Sequence, residues 1–290
     1  VAKKQRKQKK SKKQAEKKRK QANRSGKTEA QRADKYDLYQ RSVQETDPDL
    51  ELLARIFKNH YGRPPRLLRE DFCGTAAMAC RWVELHRENR SYGVDLDPEP
   101  LAWGRKHNVG ALKPEQAGRI KLIEGDVRDV GPEKADVTIA FNFSYFIFET
   151  RDEIRGYFQS AKASLLPEGM FLLDVYGGPE AQRVNEEERD CDDFLYIWDQ
   201  HTFDPISNRA TNYIHFEFDD GSVMKRAFRY DWRLWSLPEL RELLYEAGFS
   251  KVEVYWEGTD RKSGEGNGIF TLREKAIDDP AWVAYLVALP

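Results

Sequence analysis

Three acidic side chains close apolar runs at intervals that suit a nucleoside. Glu70 ends Leu67-Leu68-Arg69-Glu70, Asp95 ends Tyr92-Gly93-Val94-Asp95, and Asp126 follows Glu124-Gly125. An ionised carboxylate only accepts hydrogen bonds, so each can take a hydroxyl, an amine or a cation. Gly74 follows the first acid in Phe72-Cys73-Gly74-Thr75-Ala76, where a missing side chain lets the backbone approach a ligand closely. Asp95 lies 21 residues after Gly74, a separation that suits a ribose diol, and Asp126 offers an acceptor to an exocyclic amine. Taken singly, each acid has a plainer role as a helix cap or turn former, and Gly74 as a turn glycine. Their order along one pattern is what sets them apart. A triphosphate does not suit them: no Gly-x-x-x-x-Gly-Lys motif is present, and the acids would repel phosphates. A nicotinamide dinucleotide is disfavoured too, because the loop lacks the glycines a pyrophosphate needs and Asp71 would add a repelling charge.

Such acids must be held by strand ends, and the chain supplies them. Apolar residues at helical spacing run from Asp49 to Tyr61, and Pro64-Pro65 breaks the run. Short apolar strands are predicted at 66–70, 91–95, 120–124, 137–143 and 170–175, with helices at 76–86, 99–108 and 154–166 between them. This alternation predicts an α/β fold: a mostly parallel sheet with helices on both faces, which binds ligands outside the carboxyl ends of its strands. After Gly177-Gly178-Pro179 the alternation stops. Segments 194–203, 210–218 and 223–232 read as three strands joined by turns, an antiparallel insertion after the fifth strand. Ser236-Leu237-Pro238-Glu239 then reads as a capped helix start. Segments 251–256 and 268–273 read as closing strands around a mobile loop at 258–267, and 276–290 as a helical C-terminal extension.

Charge is divided sharply along the chain. Residues 1–27 hold fourteen Lys or Arg and one acid, Glu16, while the other 263 residues carry 34 basic and 48 acidic groups. Residues 1–33 have too little apolar surface to offset the entropy of ordering, so a disordered basic tail is expected. It could hook RNA, a ribosome or another polyanion, or serve only as a solvated arm. No apolar run is long enough for a signal sequence or a membrane span, so no membrane partner is expected. Cys73, Cys80 and Cys191 and five scattered histidines show no metal-ligand or disulfide spacing. No metal is expected, and a reducing compartment, the cytoplasm, is the default.

From about Tyr36 to Leu272 the sequence resembles the class I S-adenosylmethionine-dependent methyltransferases. The resemblance implies a three-layer αβα Rossmann-like sheet and S-adenosylmethionine as cofactor. Glu70 falls on the acidic position facing the amino acid end of the cofactor, and Gly74 on the central glycine of the family's loop. Phe72 and Ala76 stand where flanking glycines are usual, which leaves the loop's path open. By the same resemblance Asp95 would hold the ribose, Leu96 would pack on adenine, Asp126 would meet its amine and Val127 its ring. Asn142 would face the methyl group, with Tyr145 as a second residue in catalysis. Tyr36, Tyr39, Tyr176 and Arg229 are the candidates for acceptor contact, and the aromatics among them have core packing as the alternative. The domain is expected over 34–275, with its insertion at 190–235 resembling the lid of glycine and sarcosine N-methyltransferases. Arg226, Arg229, Tyr230, Trp232, Arg233 and Trp235 give that insertion a basic, aromatic lining. The expected reaction is methyl transfer to a nitrogen or oxygen of a small-molecule acceptor. The alternatives are an RNA or protein acceptor reached through the tail, and an inactive cofactor-binding module recruited to nucleic acid.

Overall fold

In the computed structural model, residues 26–129, 131, 133–260, 266–277 and 279–290 are described. Most of the basic tail, residues 1–25, and the middle of the 258–267 loop, residues 261–265, lie outside them. The described residues divide into a larger unit, within 45–182 and 232–290, and a smaller unit, within 26–44 and 183–231.

In chain order the elements begin with α1 (Glu29–Arg32), α2 (Lys35–Val43), α3 (Thr46–Tyr61), β1 (Leu67–Asp71), α4 (Ala77–Leu85), β2 (Arg90–Asp95) and α5 (Pro98–His107). There follow α6 (Pro114–Ala117), β3 (Ile120–Glu124), β4 (Ala135–Ala140), α7 (Arg151–Ala163) and β5 (Leu165–Gly177). Strands β6 (Asn185–Asp190), β7 (Phe194–Asp204), β8 (Arg209–Phe218) and β9 (Val223–Arg233) come next. The chain ends with α8 (Leu237–Glu246), β10 (Lys251–Thr259), β11 (Gly266–Leu272) and β12 (Trp282–Leu289).

The larger unit is built on an eight-stranded sheet in the order β11-β10-β12-β5-β4-β1-β2-β3. Strands β5, β4, β1, β2 and β3 run parallel, whereas β12, β10 and β11 pair antiparallel. Every residue of β4 is buried, as expected of a central strand covered on both faces. On one face Leu50, Leu53, Ile56 and Phe57 of α3 and Met78 and Trp82 of α4 form a core with Val137, Ile139, Met170 and Leu172. On the other, Phe171 lies against Tyr157 and Phe158 of α7 and stacks on Phe249 beyond α8. Alternate residues of β5 thus serve opposite layers. Helix α3 ends at Gly62, left-handed at φ 68°, ahead of Pro64-Pro65. Capping boxes at Thr150/Glu153 and Ser236/Glu239 start α7 and α8. No described helix is long and apolar enough to cross a membrane.

The smaller unit is a four-stranded sheet, β6-β7-β8-β9. Its core holds Leu38 of α2 with Phe194, Ile214, Phe216 and Phe218.

Three expectations are corrected. The 276–290 extension is not helical: its apolar run forms β12, inserted between β5 and β10. A short continuous apolar run has no period that separates a buried strand from a buried helix. The antiparallel insertion has four strands, because Asn185–Asp190 pairs with β7 although all its side chains are exposed and none is apolar. Residues 28–33, placed in the disordered tail, are folded. Thr28 caps α1, and the N–H groups of Glu29 and Ala30 donate to the Asp220 carboxylate (2.9 Å) and the Ser222 hydroxyl (3.0 Å).

Candidate active site

The central strand β1, flanked by β2 and β4, delivers Glu70 and Asp71 into the turn 72–76. Phe72, Gly74 and Ala76 are all left-handed, at φ 56°, 52° and 59°. The turn therefore follows the path that three alternating glycines would take, although two of them carry side chains. Phe72 turns its ring onto Tyr157 (5.4 Å between centroids) and Phe148 (6.0 Å). A Cβ added at Gly74 would meet nothing within 4 Å, so the space beside it is open. The Thr75 hydroxyl is buried and has no partner among the described residues. At Gly104 of α5 an added Cβ would fall 2.2 Å from the Thr75 carbonyl, so only glycine lets this helix lie so close to the turn.

The strand-end acids are not alike in their partners. Glu70 is buried, and its Oε2 accepts from the Ala79 N–H of α4 at 2.8 Å. Burial pushes its pKa up to about 8. Asp71 does not point a bare charge at the turn. It is buried against Arg69 Nε (2.5 Å) and accepts from the Tyr157 hydroxyl (3.0 Å). Asp71, neutralised by Arg69, would not repel a dinucleotide's phosphates, and it is the missing glycines that disfavour one. Arg69 also donates to the carbonyl of Val127 at 2.8 Å, tying β1 to the turn after β3. The Asp95 carboxylate accepts from the N–H groups of Gly74 (2.7 Å) and Asp97 (2.9 Å), and burial raises its pKa. Beside it Leu96 is 69% exposed, an apolar side chain free to cover a flat ring. Asp126 is held by Arg128, through Nε (3.0 Å) and the terminal NH2 (2.6 Å), which lowers its pKa. Val127 is buried.

At the end of β4, Asn142 and Phe143 are both left-handed at φ 56°. Their N–H groups donate to the two oxygens of Asp174, at 2.7 and 2.9 Å. The Tyr145 hydroxyl donates to the Asp174 carbonyl at 2.6 Å, and the residue is fully buried. This places Tyr145 as a brace of the turn, with Asn142 the more open of the two. Tyr176 packs its ring on Phe143 (4.6 Å) and Phe146 (5.6 Å), and burial raises its pKa. In the smaller unit, Tyr36 and Tyr39 pack on Phe228 at 5.9 and 5.0 Å, and Arg229 is exposed on Asp231 at 2.8 Å.

The larger unit thus gathers Glu70 and Asp95 at the carboxyl ends of β1 and β2, and Phe72, Gly74, Leu96, Asp126, Val127, Asn142 and Tyr145 on the turns that follow parallel strands. Two further acids of this unit, Asp174 in β5 and Asp49 in α3, were not singled out from the sequence. Asp174 follows Phe171-Leu172-Leu173, the same signature that exposed Glu70. Asp49, in the first turn of α3, accepts from the hydroxyl of Tyr285, and burial pushes its pKa up to about 6. Acceptors at successive strand ends, open space at Gly74, a partnerless hydroxyl at Thr75 and two arginines already paired with acids fit a cationic nucleoside cofactor.

Comparison with known proteins agrees. Residues 71–173 match the family described as Methyltransferase domain. Protein YqeM of Bacillus subtilis (strain 168) is 23% identical over 212 residues, which cover 70% of this chain and 82% of YqeM. An S-adenosylmethionine-dependent methyltransferase from Clostridium acetobutylicum ATCC 824 superposes with a TM-score of 0.61 at 18% identity, covering 88% of this chain and 97% of that one. The sugar N-methyltransferase KedS8 from Streptoalloteichus sp ATCC 53650 gives 0.60 at 15% identity, over 88% and 92%. Residues 71–173 thus match a methyltransferase domain, in a chain that shares its fold with S-adenosylmethionine-dependent methyltransferases.

Proposed function

We propose that the chain methylates a nitrogen of a small amine. The observation that carries this reading is the charge at the carboxyl edge of the sheet. Glu70, Asp174 and Asp49 are withdrawn from water there, and among the described residues no cation pairs with any of them. A protonated amine brings the missing charge. That KedS8 is a sugar N-methyltransferase supports the same acceptor class.

S-adenosylmethionine supplies an electrophilic methyl group on a cationic sulfur. The rest falls to the chain. Asp95 would accept from ribose hydroxyls, Leu96 would cover the base, and Asp126 would accept from its amine by sharing the bonds it now receives from Arg128. Glu70 lies toward the amino acid end. The turn 142–145 would border the transferred methyl group and hold the acceptor in line, since displacement at carbon is accelerated mainly by alignment in a dry site. An ammonium must lose its proton before it can attack, and carboxylates of this edge can receive it.

Calorimetric titration with S-adenosylmethionine and S-adenosylhomocysteine, with NAD as control, tests the cofactor. A radiolabelled-methyl assay across amino sugars, their hydroxyl counterparts and RNA tests the acceptor. Transfer to amines alone is expected, whereas transfer to RNA alone would overturn the proposal. The basic run of residues 1–27 favours RNA as the second reading. Removing residues 1–25 should leave turnover of a small amine intact, but would abolish methylation of an RNA held through that run.

A further inference from the structure

Two successive non-glycine residues in the left-handed region, such as Asn142 and Phe143, persist only where their surroundings fix them. One residue does so here. β4 and β5 pair with Ala140 opposite Leu173, which brings Asp174 level with the turn. Its carboxylate takes both N–H groups, and its carbonyl takes the Tyr145 hydroxyl. Three bonds from a single residue thus shape the turn that follows the fourth strand.

The charge on Asp174 is as informative as its bonds. It is faced by Asp49 from α3, by Tyr285, its register partner on β12, and by Tyr145 from the turn. Among the described residues no cation pairs with it. Two amide dipoles are what balance a carboxylate that is only 8% exposed. In so dry a place the carboxylate, once ionised, favours a cationic ligand over a neutral one of the same shape.

We propose that Asp174 is a positioning residue for methyl transfer, which holds the 142–143 turn and supplies the field that distinguishes a methyl-bearing sulfonium from the neutral thioether left after transfer. The inference rests on the methyltransferase reading. Burial raises the Asp174 pKa to about 8, so its negative charge fills in as pH rises through that value. Glu70, also raised to about 8, titrates in the same window.

The test is calorimetry on the full chain with S-adenosylmethionine and S-adenosylhomocysteine from pH 6.5 to 9. Both ligands carry the same nucleoside and amino acid groups, so the ratio of their affinities, each referred to the ligand with its α-amino group protonated, compares the sulfonium with the thioether. In the unaltered protein the ratio should shift toward S-adenosylmethionine as pH rises. In Asp174→Asn that shift should vanish, and S-adenosylmethionine affinity at pH 8.5 should fall about tenfold while S-adenosylhomocysteine stays within about twofold. Equal weakening of both ligands would mark a merely structural role and overturn the inference. Persistence of the pH shift in Asp174→Asn would assign it to Glu70 and overturn it too. Should Asp174→Asn fail to fold, Glu70→Gln decides: a pH shift that survives in it belongs to Asp174, whereas one that vanishes belongs to Glu70 and overturns the inference, as does a ratio independent of pH in the unaltered protein. Binding of neither ligand would remove the methyltransferase reading itself, a result distinct from all of these.

Discussion

Gly74 and Asp95 meet directly, through an N–H to carboxylate bond of 2.7 Å, so each can be tested for what it does beyond shaping the turn. At Gly74 a methyl group has room, and the cost of Gly74→Ala in the free protein is backbone strain alone, about 1–2 kcal/mol. The same methyl group projects into the open space expected to hold cofactor. Denaturant midpoints with and without S-adenosylhomocysteine should therefore show a larger loss with ligand than without, and equal losses would place the cofactor elsewhere. Asp95→Ala removes the proposed ribose acceptor and should weaken cofactor binding by roughly 1–3 kcal/mol, read by calorimetry. Unchanged affinity would contradict the assignment. Glu70, Asp95 and Asp126 were legible in the sequence because a charge after an apolar run marks a strand end. Asp174 carries the same mark, but Val175 continues the apolar run behind it, so it reads as a position inside a strand. The left-handed Phe72 and Ala76 were beyond reach, since neither residue type signals a positive φ.

Between elements, the buried pair Arg69 and Asp71 links β1, α7 and the turn after β3. Arg69 is 1% exposed and Asp71 2%, so removing one partner strands a charge where water cannot reach it. Arg69→Met should cost about 3–5 kcal/mol in a urea titration, and Arg69→Met with Asp71→Leu should recover most of that. If the double variant were as unstable as the single one, the pair would be a packing element rather than a charge pair. Elements with a period or a stop signal were legible: α3, α7 and α8 from spacing and caps, β4 and β5 from unbroken apolar runs. β6 was not, because its six residues bury no side chain and only its backbone bonds to β7 make it a strand. β12 was not, because its place between β5 and β10 comes from partners far along the chain.

Across the whole molecule, the same buried acids set how stability responds to pH. Burial holds Glu70 and Asp174 up at about 8 and Asp49 at about 6. Between the ordinary carboxylate range, about 4, and these values the folded chain keeps protons that the unfolded chain has released. Protonation therefore favours the folded state, and stability falls as pH rises through this window. Asp126 and Asp231 act in the opposite sense: Arg128 and Arg229 lower their pKa values, so their contribution is present above about 4 and lost below it. Both pairs meet solvent, which makes that contribution small. Urea midpoints measured from pH 5 to 9 should therefore decline steadily, and Asp174→Asn should flatten the decline between about pH 6 and 8, because one of the three titrating groups is gone. A midpoint that rises over this range would mean that these carboxylates are hydrated, and with it would go the claim that the carboxyl edge waits for a cation. Saturating S-adenosylmethionine should reduce the slope as well, since a bound sulfonium favours the ionised acids and stabilises only the folded chain. S-adenosylhomocysteine, lacking that charge, should raise the midpoints but leave a steeper decline.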